Sequence, residues 1–414
     1  MNYALYNLKK GVKMSELDEI FDSVSKRSLI KDKHILQANY TPEDIPHRAK
    51  LISRVGSILA PSLLGQKPSN LFIYGKTGTG KTLSIQHVAN ELAKRTKDSK
   101  VLRIEYLNCK LKKIADTEYR ILAELIKKLG GKVPATGLPT DKVYLRFLNL
   151  LEKNQSKLLI LILDEVDQAV KKISDSFLYN LTRLNSELNN IQICIIGISN
   201  DLRFLDRIDP RVKSSLSEED LVFPPYNALQ LQDILIKRAE QAFKPNCVAD
   251  GTIAKCAAFA AREHGDARRA LDLLRVAAEI AERESSMKIT TEHIDRANDK
   301  IERDKILDIV ETEPKQFQLV LYSIIKLLEN TKDSIFTGDI YAYYQELCNK
   351  TNDVDVLTQR RVSDILAEFD MLGLINARVI SKGRQGRTRE IKLAIPENIR
   401  LRSKEILEDS LGLN

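Results

Sequence analysis

The sequence predicts an α/β domain built on a parallel sheet, then an all-helical region, then a C-terminal domain of three helices and a β-hairpin. Three observations predict this order. An apolar run at residues 71–74 leads into a glycine-rich loop and an apolar pattern with helical spacing. Residues 158–163 are apolar on both faces, as expected of a central parallel strand covered by helices. Three amphipathic segments near the C-terminus precede two β-patterns joined by a basic turn.

The glycine-rich loop is Gly75-Lys76-Thr77-Gly78-Thr79-Gly80-Lys81-Thr82, which fits the phosphate-binding pattern G-x-x-x-x-G-K-[ST]. Its glycines allow backbone N–H groups to wrap phosphates, and the N-terminus of the following helix adds a positive field. We expect Lys81 to reach the β- and γ-phosphates and Thr82 to ligate Mg²⁺. An ordinary glycine-rich turn is the alternative, which the flanking strand and helix disfavour.

Composition narrows the class of protein. Of the 414 residues, 43% are hydrophobic, which is enough for full cores, and no apolar run predicts a membrane span or a secretion signal. The cysteines form no C-x-x-C pair and the histidines no H-E-x-x-H motif, so we expect buried thiols in a reducing compartment and no metal beyond Mg²⁺. The cysteines are Cys109, Cys194, Cys247, Cys256 and Cys348.

The net charge of +8 permits a polyanionic partner, and its distribution is uneven. Residues 310–414 contain 15 Lys and Arg against 16 Asp and Glu, whereas the remainder contains 50 against 41. A DNA contact in the C-terminal part therefore has to come from a local basic cluster.

The N-terminal residues 1–39 are mixed polar and charged, and we expect them to be partly mobile. Two prolines in residues 40–48 then favour an extended or turned chain, and a helix with an apolar face follows. The functional interpretation puts His47 and Arg48 against the adenine of a nucleotide. The alternative is that they begin a surface helix.

Residues 101–107 predict a second strand, and residues 110–155 predict two helices separated by glycines and prolines. A minimal nucleotide-binding βαβ unit does not need these helices. We therefore expect an inserted element here.

The apolar strand at residues 158–163 ends in Asp164-Glu165-Val166-Asp167. The carboxyl end of a central strand is where α/β sheets bind ligands. We expect Asp164 to hold Mg²⁺ through water and Glu165 to orient or deprotonate an attacking water, the alternative being a polar strand end.

Two further polar residues follow later strands. Asn200 ends the strand at residues 191–198, where it could sense the γ-phosphate or be a loop asparagine. Arg211 precedes a strand predicted at residues 220–223. It could act in trans on a neighbour's nucleotide or be a surface arginine.

The helical region begins after Pro224-Pro225, with Tyr226 at the hinge and Arg238 on the next helix. Further along, Gly265-Asp266-Ala267-Arg268-Arg269 opens another helix, with Asp266 as the predicted N-cap. Two arginines in a first helical turn oppose the helix dipole, so an anion should offset them. That anion could be a γ-phosphate approached by Arg268, or the carboxylate of Glu263.

The C-terminal part predicts a winged helix. A charged helical stretch leads to Pro314, and three amphipathic helices follow, of which the third starts at the N-cap Thr358 and ends near Gly373. A hairpin at residues 374–380 and 388–395 completes the pattern. We expect the third helix to enter the major groove of DNA and the hairpin tip to contact phosphate or the minor groove.

The residues expected at DNA lie on these two elements. On the third helix they are Gln359, Arg360 and Ser363, and on the hairpin Lys382, Arg384, Arg387 and Arg389. Winged helices also bind proteins, but the turn and second strand of this hairpin (residues 381–395) have five basic residues, including Lys392, against one acidic residue, Glu390, which favours DNA.

Together these motifs resemble a family, the archaeal replication initiators related to the largest origin recognition complex subunit and to the cell-division-cycle helicase loader. The resemblance covers about residues 40–395 and rests on Pro46-His47-Arg48, residues 70–82, Asp164-Glu165, Asn200, residues 210–215, residues 223–226 and Gly265-Asp266-Ala267-Arg268. It implies an α/β P-loop AAA+ base with a parallel sheet, an all-α lid and a C-terminal winged-helix domain. The expected division is an N-terminal extension (1–39), the base (40–225, with the insertion 110–155), the lid (226–300), a linker (301–314), the winged helix (315–400) and a C-terminal tail (401–414).

The resemblance also implies a function. Residues 78–82, Tyr226 and Arg238 would contact ATP or ADP with Mg²⁺, and the insertion would also touch DNA. The implied partners are double-stranded origin DNA, a replicative MCM-type helicase and paralogous initiator subunits, in the cytoplasm at the nucleoid and without membrane contact. An ATP-dependent transcription regulator and a clamp-loader or transposition-helper ATPase are the alternatives.

Overall fold

The computed structural model describes residues 28–37, 40–42, 44–96, 100–110, 117–134, 137–216, 218–330, 335–351, 354–381 and 387–413. The chain divides into two compact units, residues 1–294 and 295–414. Each is described by itself below.

The first unit is organised around a five-stranded parallel sheet in the order β2-β3-β4-β1-β5. The predicted parallel sheet is therefore confirmed. Its strands are β1 (Leu71–Tyr74), β2 (Leu102–Asn108), β3 (Leu158–Asp164), β4 (Gln192–Ser199) and β5 (Glu219–Val222). Since all strands run the same way, the ends of β1, β3 and β4 bring the glycine loop, Asp164 and Asn200 to one edge of the sheet.

Helices cover both faces of this sheet because successive residues of a strand point to opposite faces. Leu159, Leu161 and Leu163 of β3 join one core, and their neighbours Leu158, Ile160 and Ile162 join the other. The helices are α1 (Ala49–Leu59), α2 (Lys81–Arg95), α3 (Glu118–Lys128), α4 (Thr140–Glu152), α5 (Val166–Ile173), α6 (Ser176–Glu187) and α7 (Pro210–Leu216). The predicted insertion helices are α3 and α4, and they pack on the same side of the sheet as α5 and α6.

The helical region that follows is also as predicted. It contains α8 (Ala228–Ala242), α9 (Thr252–Arg262) and α10 (Ala267–Arg283), and α11 (Thr291–Thr312) begins at its end. Asn227 and Gln230 form a capping box at the start of α8. Residues 28–37, which we expected to be part of a mobile extension, pack on α8 and α10 with Leu29 and Leu36 buried.

The second unit has the elements of a winged helix. The helices are α12 (Lys315–Asn330), α13 (Thr337–Thr351), α14 (Gln359–Leu372) and α15 (Glu397–Leu411), and the strands β6 (Ile335–Phe336), β7 (Ile375–Ser381) and β8 (Arg387–Leu393). The side chain of Thr358 caps α14 and Gly373 ends it in the left-handed conformation, as predicted. Two features were not predicted: β6 pairs with β8 as a third strand, and the residues expected as a tail form α15, whose Leu407 is buried in the core.

Candidate nucleotide site and nucleic-acid interface

The glycine loop between β1 and α2 has the backbone that a phosphate cradle needs. Gly78 and Gly80 have φ angles of 65° and 86°, which are left-handed values that favour glycine. A Cβ atom at Gly80 would lie 2.9 Å from the Tyr226 hydroxyl, and one at Gly78 would overlap the carboxylate of Asp266. The loop is thus packed closely between the sheet and the helical region.

Lys81 is a buried lysine whose ammonium group is held inside the loop. Its Nζ donates to the carbonyl oxygens of Gly75 and Lys76, both at 2.7 Å, and to Asn200 Oδ1 at 2.8 Å. Burial lowers the pKa of Lys81 to about 8, with Asp164 acting in the opposite direction and Arg268 adding to the decrease. A cation held only by neutral groups at such a site is well suited to bind phosphate.

The predicted Mg²⁺ ligands are brought together by β3 and α2. Thr82 Oγ1 donates to Asp164 Oδ2 at 2.8 Å, and the Tyr106 hydroxyl donates to the same oxygen at 2.7 Å. Adjacent ligands of an octahedral Mg²⁺ with bonds of about 2.1 Å are about 3 Å apart, so this oxygen pair fits the ion. Tyr106 was missed in the sequence, because nothing there indicates that β2 lies beside β3.

The two acidic residues that follow Asp164 differ in what they contact. Glu165 has a φ of 53°, its backbone N–H donates to Asp164 Oδ1, and Lys110 Nζ lies 3.6 Å from its Oε2. Asp167 accepts from the hydroxyl of Ser199 at 3.0 Å and from the backbone N–H of Asn200 at 3.3 Å. Asp167 therefore holds the end of β4 so that Asn200 faces Lys81, a role that was not predicted.

A cavity of about 720 Å³ joins these groups to the helical region. The phosphate loop contributes Gly78, Gly80, Lys81 and Thr82 to its wall, together with Asp164, Glu165 and Asn200. The helical region contributes Tyr226, Arg238 and Arg268, and the N-terminal segment contributes Gln37, Tyr40, Thr41 and Pro42. Ten of the predicted site residues thus line one cavity.

His47 and Arg48 are not among the cavity-lining residues, although other residues of their segment are, including Tyr40, Thr41 and Pro46. The adenine contact of this segment stays a prediction. The ring of His47 turns to Asp233, with Nε2 2.9 Å from Oδ2. Arg48 is buried, and its guanidinium donates to the carbonyl oxygens of Thr79 at 2.9 Å and Pro224 at 2.6 Å. It also lies over the ring of Tyr226, 3.8 Å from the centroid. Arg48 therefore ties the phosphate loop to the hinge.

Arg238 and Arg268 approach the cavity from the helical region. Arg238 donates to the carbonyl oxygen of Ile35 at 3.2 Å and stacks over the ring of Tyr40 at 4.4 Å. Burial lowers its pKa, whereas Tyr40 acts to raise it. Arg268 lies in the first turn of α10, next to the predicted N-cap.

The start of α10 is capped as predicted. Asp266 accepts from the backbone N–H groups of Arg268 and Arg269, and Glu263 pairs with Arg269 at 2.9 Å. Glu263, the alternative partner considered for Arg268, is thus bound to the neighbouring arginine. The backbone N–H of Ala267 donates to the carbonyl oxygen of Gly78, so α10 begins directly against the phosphate loop.

Arg211 lies on the surface, outside the set of cavity-lining residues. Its guanidinium forms a two-point contact with Asp209, with Nη2 2.8 Å from Oδ2, and lies 5.1 Å from the centroid of the Tyr179 ring. The contact holds the pKa of Asp209 at about 2.

In the second unit, Gln359 and Arg360 are exposed in the first turn of α14 and Ser363 is half-buried. Arg389 of β8 donates to the carbonyl oxygen of Ser363 at 3.0 Å and so links the hairpin to this helix. Its expected contact with DNA stays a prediction. Lys382 and Arg384 lie outside the described residues, as does the side chain of Arg387.

Two other expectations concern the whole chain. All five cysteines are buried and none of them forms a disulfide, and burial raises the pKa of the Cys109 thiol to about 12. Among the described residues no helix is long and apolar enough to span a membrane.

Fold and site define a class of protein: an α/β AAA+ nucleotide-binding domain with a helical lid and a C-terminal winged helix. Family models agree, since an AAA domain matches residues 65–205, a Cdc6 AAA+ ATPase-type lid domain residues 232–299, and a CDC6 C-terminal winged helix domain residues 308–402.

The chain belongs to the family of ORC1-type DNA replication proteins. It is 48% identical over 394 residues to the ORC1-type DNA replication protein of Pyrococcus furiosus, covering 94% of this chain and 93% of the relative. It is 50% identical over 382 residues to ORC1-type DNA replication protein 1 of Archaeoglobus fulgidus, covering 92% of each. Its structure is similar to that of the Aeropyrum pernix ORC1 protein solved in complex with DNA, with a TM-score of 0.82, 42% identity, and coverage of 92% of this chain and 97% of that one.

Proposed function

We propose that this protein is an ATP-switched, DNA-binding replication initiator that recognises origin DNA and helps to recruit the replicative MCM-type helicase. The observation that supports the ATP switch best is the cavity in which the phosphate loop, the strand-end carboxylates and the lid arginines meet. The similarity to a DNA-bound ORC1 protein supports the DNA part. This function implies a place in the cytoplasm at the nucleoid.

ATP and Mg²⁺ are the cofactors that the site's chemistry favours. Lys81 and the loop N–H groups would bind the phosphates, and Thr82 and Asp164 would hold Mg²⁺. Mg²⁺ supplies charge neutralisation at the phosphate oxygens. Glu165 would orient or deprotonate the attacking water, and Asn200 and Arg268 would sense the γ-phosphate. Hydrolysis would be slow and would serve as a switch.

The surface position of Arg211 supports a role at the nucleotide site of a neighbouring subunit. Its guanidinium is on the surface and outside the chain's own cavity, so it could stabilise the transition-state charge only on a neighbour's nucleotide. A paralogous initiator subunit or a second copy would supply that nucleotide. Arg211→Ala should therefore leave hydrolysis by a verified monomer unchanged, and a large loss of turnover in the monomer would contradict the trans role.

The exposed start of α14 supports major-groove recognition. Gln359 and Arg360 have the side chains that read adenine and guanine edges. The insertion helices α3 and α4, which belong to the positively charged remainder of the chain, would add phosphate contacts.

Two experiments test the proposal. Isothermal titration calorimetry with ATP should detect binding by the wild type and none by Lys81→Ala, and near-normal affinity in this variant would refute the nucleotide site. Genome-wide mapping of bound DNA should find origin repeats. Binding concentrated at promoters would indicate a transcription regulator, and little sequence preference would indicate a clamp-loader or transposition-helper ATPase.

A further inference from the structure

A short N-terminal segment, which we call the strap (residues 28–37), is bound to the lid, and one carboxylate makes three of its contacts. Glu282 Oε1 accepts from the backbone N–H groups of Leu29 at 2.8 Å and Ile30 at 3.1 Å, and lies 2.8 Å from the hydroxyl of Ser28. An ionised carboxylate that accepts several N–H bonds is a strong and specific anchor.

Other contacts give the strap one position. The backbone N–H groups of Lys31 and Asp32 donate to the carbonyl oxygen of Ala242, the last residue of α8, and that of Lys244 donates to the carbonyl oxygen of Leu29. The strap thus satisfies a carbonyl that the end of the helix leaves without an intrahelical partner. Lys33 Nζ lies 2.7 Å from Glu279 Oε1, one turn before Glu282 on α10.

The strap leads directly into the wall of the nucleotide cavity. Its last residue, Gln37, lines the cavity, as do Tyr40, Thr41 and Pro42 after it. Arg238 links the two parts, since it donates to the carbonyl oxygen of Ile35 and lies over the ring of Tyr40. If the phosphates occupy the loop around Lys81, the base and ribose have to occupy the part of the cavity that this segment and α8 enclose.

We propose that Glu282 is a positioning residue for the nucleotide: it holds the strap on the lid, and the strap holds the cavity wall that faces the base. The inference rests on the proposed ATP binding and deepens it. Release of the nucleotide then requires this wall to loosen, so the anchor on α10 controls how long the nucleotide stays bound. The phosphate end of the site is independent of the anchor.

The test compares full-length wild type with Glu282→Ala, Glu282→Gln and a control, Glu292→Ala, which removes an exposed carboxylate on α11. Dissociation of a fluorescent ADP analogue is followed by stopped flow. Loss of the charge-assisted bonds should speed release by about tenfold in Glu282→Ala, by less in the glutamine variant, which keeps an acceptor, and not in the control.

Inorganic tripolyphosphate separates the two ends of the site because it has no base. Its affinity should be the same in wild type and Glu282→Ala, whereas the affinity for ATP should fall. Equal losses for both ligands would overturn the proposal, since the variant would then disturb the whole site.

A second variant disturbs the strap more strongly than the loss of the Glu282 carboxylate does. Leu29→Asp puts a charge without a partner at a buried position, and the cost of burying that charge should expel the strap. Unchanged ADP release in both Glu282→Ala and Leu29→Asp, with circular dichroism showing folded protein, would overturn the strap but leave ATP binding intact. Absence of ATP binding by the wild type would overturn both.

Discussion

Raising the pH from 7 to 9 should weaken ATP binding about tenfold by deprotonating Lys81. Burial is the main reason that the pKa of this ammonium group is only about 8, and the positive charge of Arg268 adds to the decrease. In the complex, phosphate charges would stabilise the protonated form and raise the pKa again. The protonated lysine is therefore the form that binds ATP.

The sign and size of the effect follow from proton linkage. As the pH rises through 8, the free protein loses the Lys81 proton but the complex keeps it, so binding has to take up a proton. The dissociation constant then rises by up to about tenfold per pH unit. One unit above the pKa about nine-tenths of the free protein is deprotonated, which gives the tenfold loss at pH 9. Below pH 7 the same group contributes no pH dependence.

Calorimetry at pH 7, 8 and 9, in buffers of different ionisation enthalpy, measures both the affinity and the proton uptake. Lys76→Ala, which alters the neighbouring exposed lysine and keeps Lys81, should show the same slope. Lys81→Arg keeps its charge between pH 7 and 9, so its affinity for ATP should not change with pH. A wild-type affinity that is flat between pH 7 and 9 would refute the reasoning.

Three further predictions follow from the geometry. Glu165→Gln should still bind ATP while single-turnover hydrolysis falls by about 10²-fold or more, and unchanged turnover would remove Glu165 from the mechanism. Arg48→Ala should lower the free energy of unfolding by about 2–4 kcal/mol, because the carbonyls of Thr79 and Pro224 lose their donor. Arg48→Lys should restore little of the lost stability, because a lysine cannot make the same set of contacts. A loss below about 1 kcal/mol in urea titrations would contradict the role of Arg48 in linking the phosphate loop to Pro224. Arg360→Ala should cost about 1–3 kcal/mol of discrimination between origin and scrambled duplexes, whereas an equal loss on both, with a salt slope reduced by about 0.9, would assign it to phosphate.

Local patterns in the sequence predicted most of the elements, though not β6 or α15, and indicated which groups meet at the phosphate loop. The loop from Gly75 to Thr82, the acidic end of β3 and the caps at Asp266 and Thr358 are short motifs whose chemistry depends on neighbours in the chain. The apolar run of β3 also predicted its place between two other strands of a parallel sheet. For these features, residue type and spacing within the segment are enough to predict the structure.

Contacts between segments far apart in the chain could not be predicted from the sequence, and only the tertiary structure shows them. The adenine contact of the segment with His47 and Arg48 stays a prediction. The contacts of Arg48 with the ring of Tyr226 and the carbonyl oxygen of Thr79 could not be predicted from the motif. Glu282 and the strap are 252 to 254 positions apart in the chain, and no local pattern pairs a helix-end carboxylate with a polar N-terminal segment. The sequence determined which groups can bind phosphate and magnesium, because that chemistry is local. The packing of lid, strap and sheet determined which side chains reach the cavity, because burial and hydrogen bonding at a site depend on every segment that meets there.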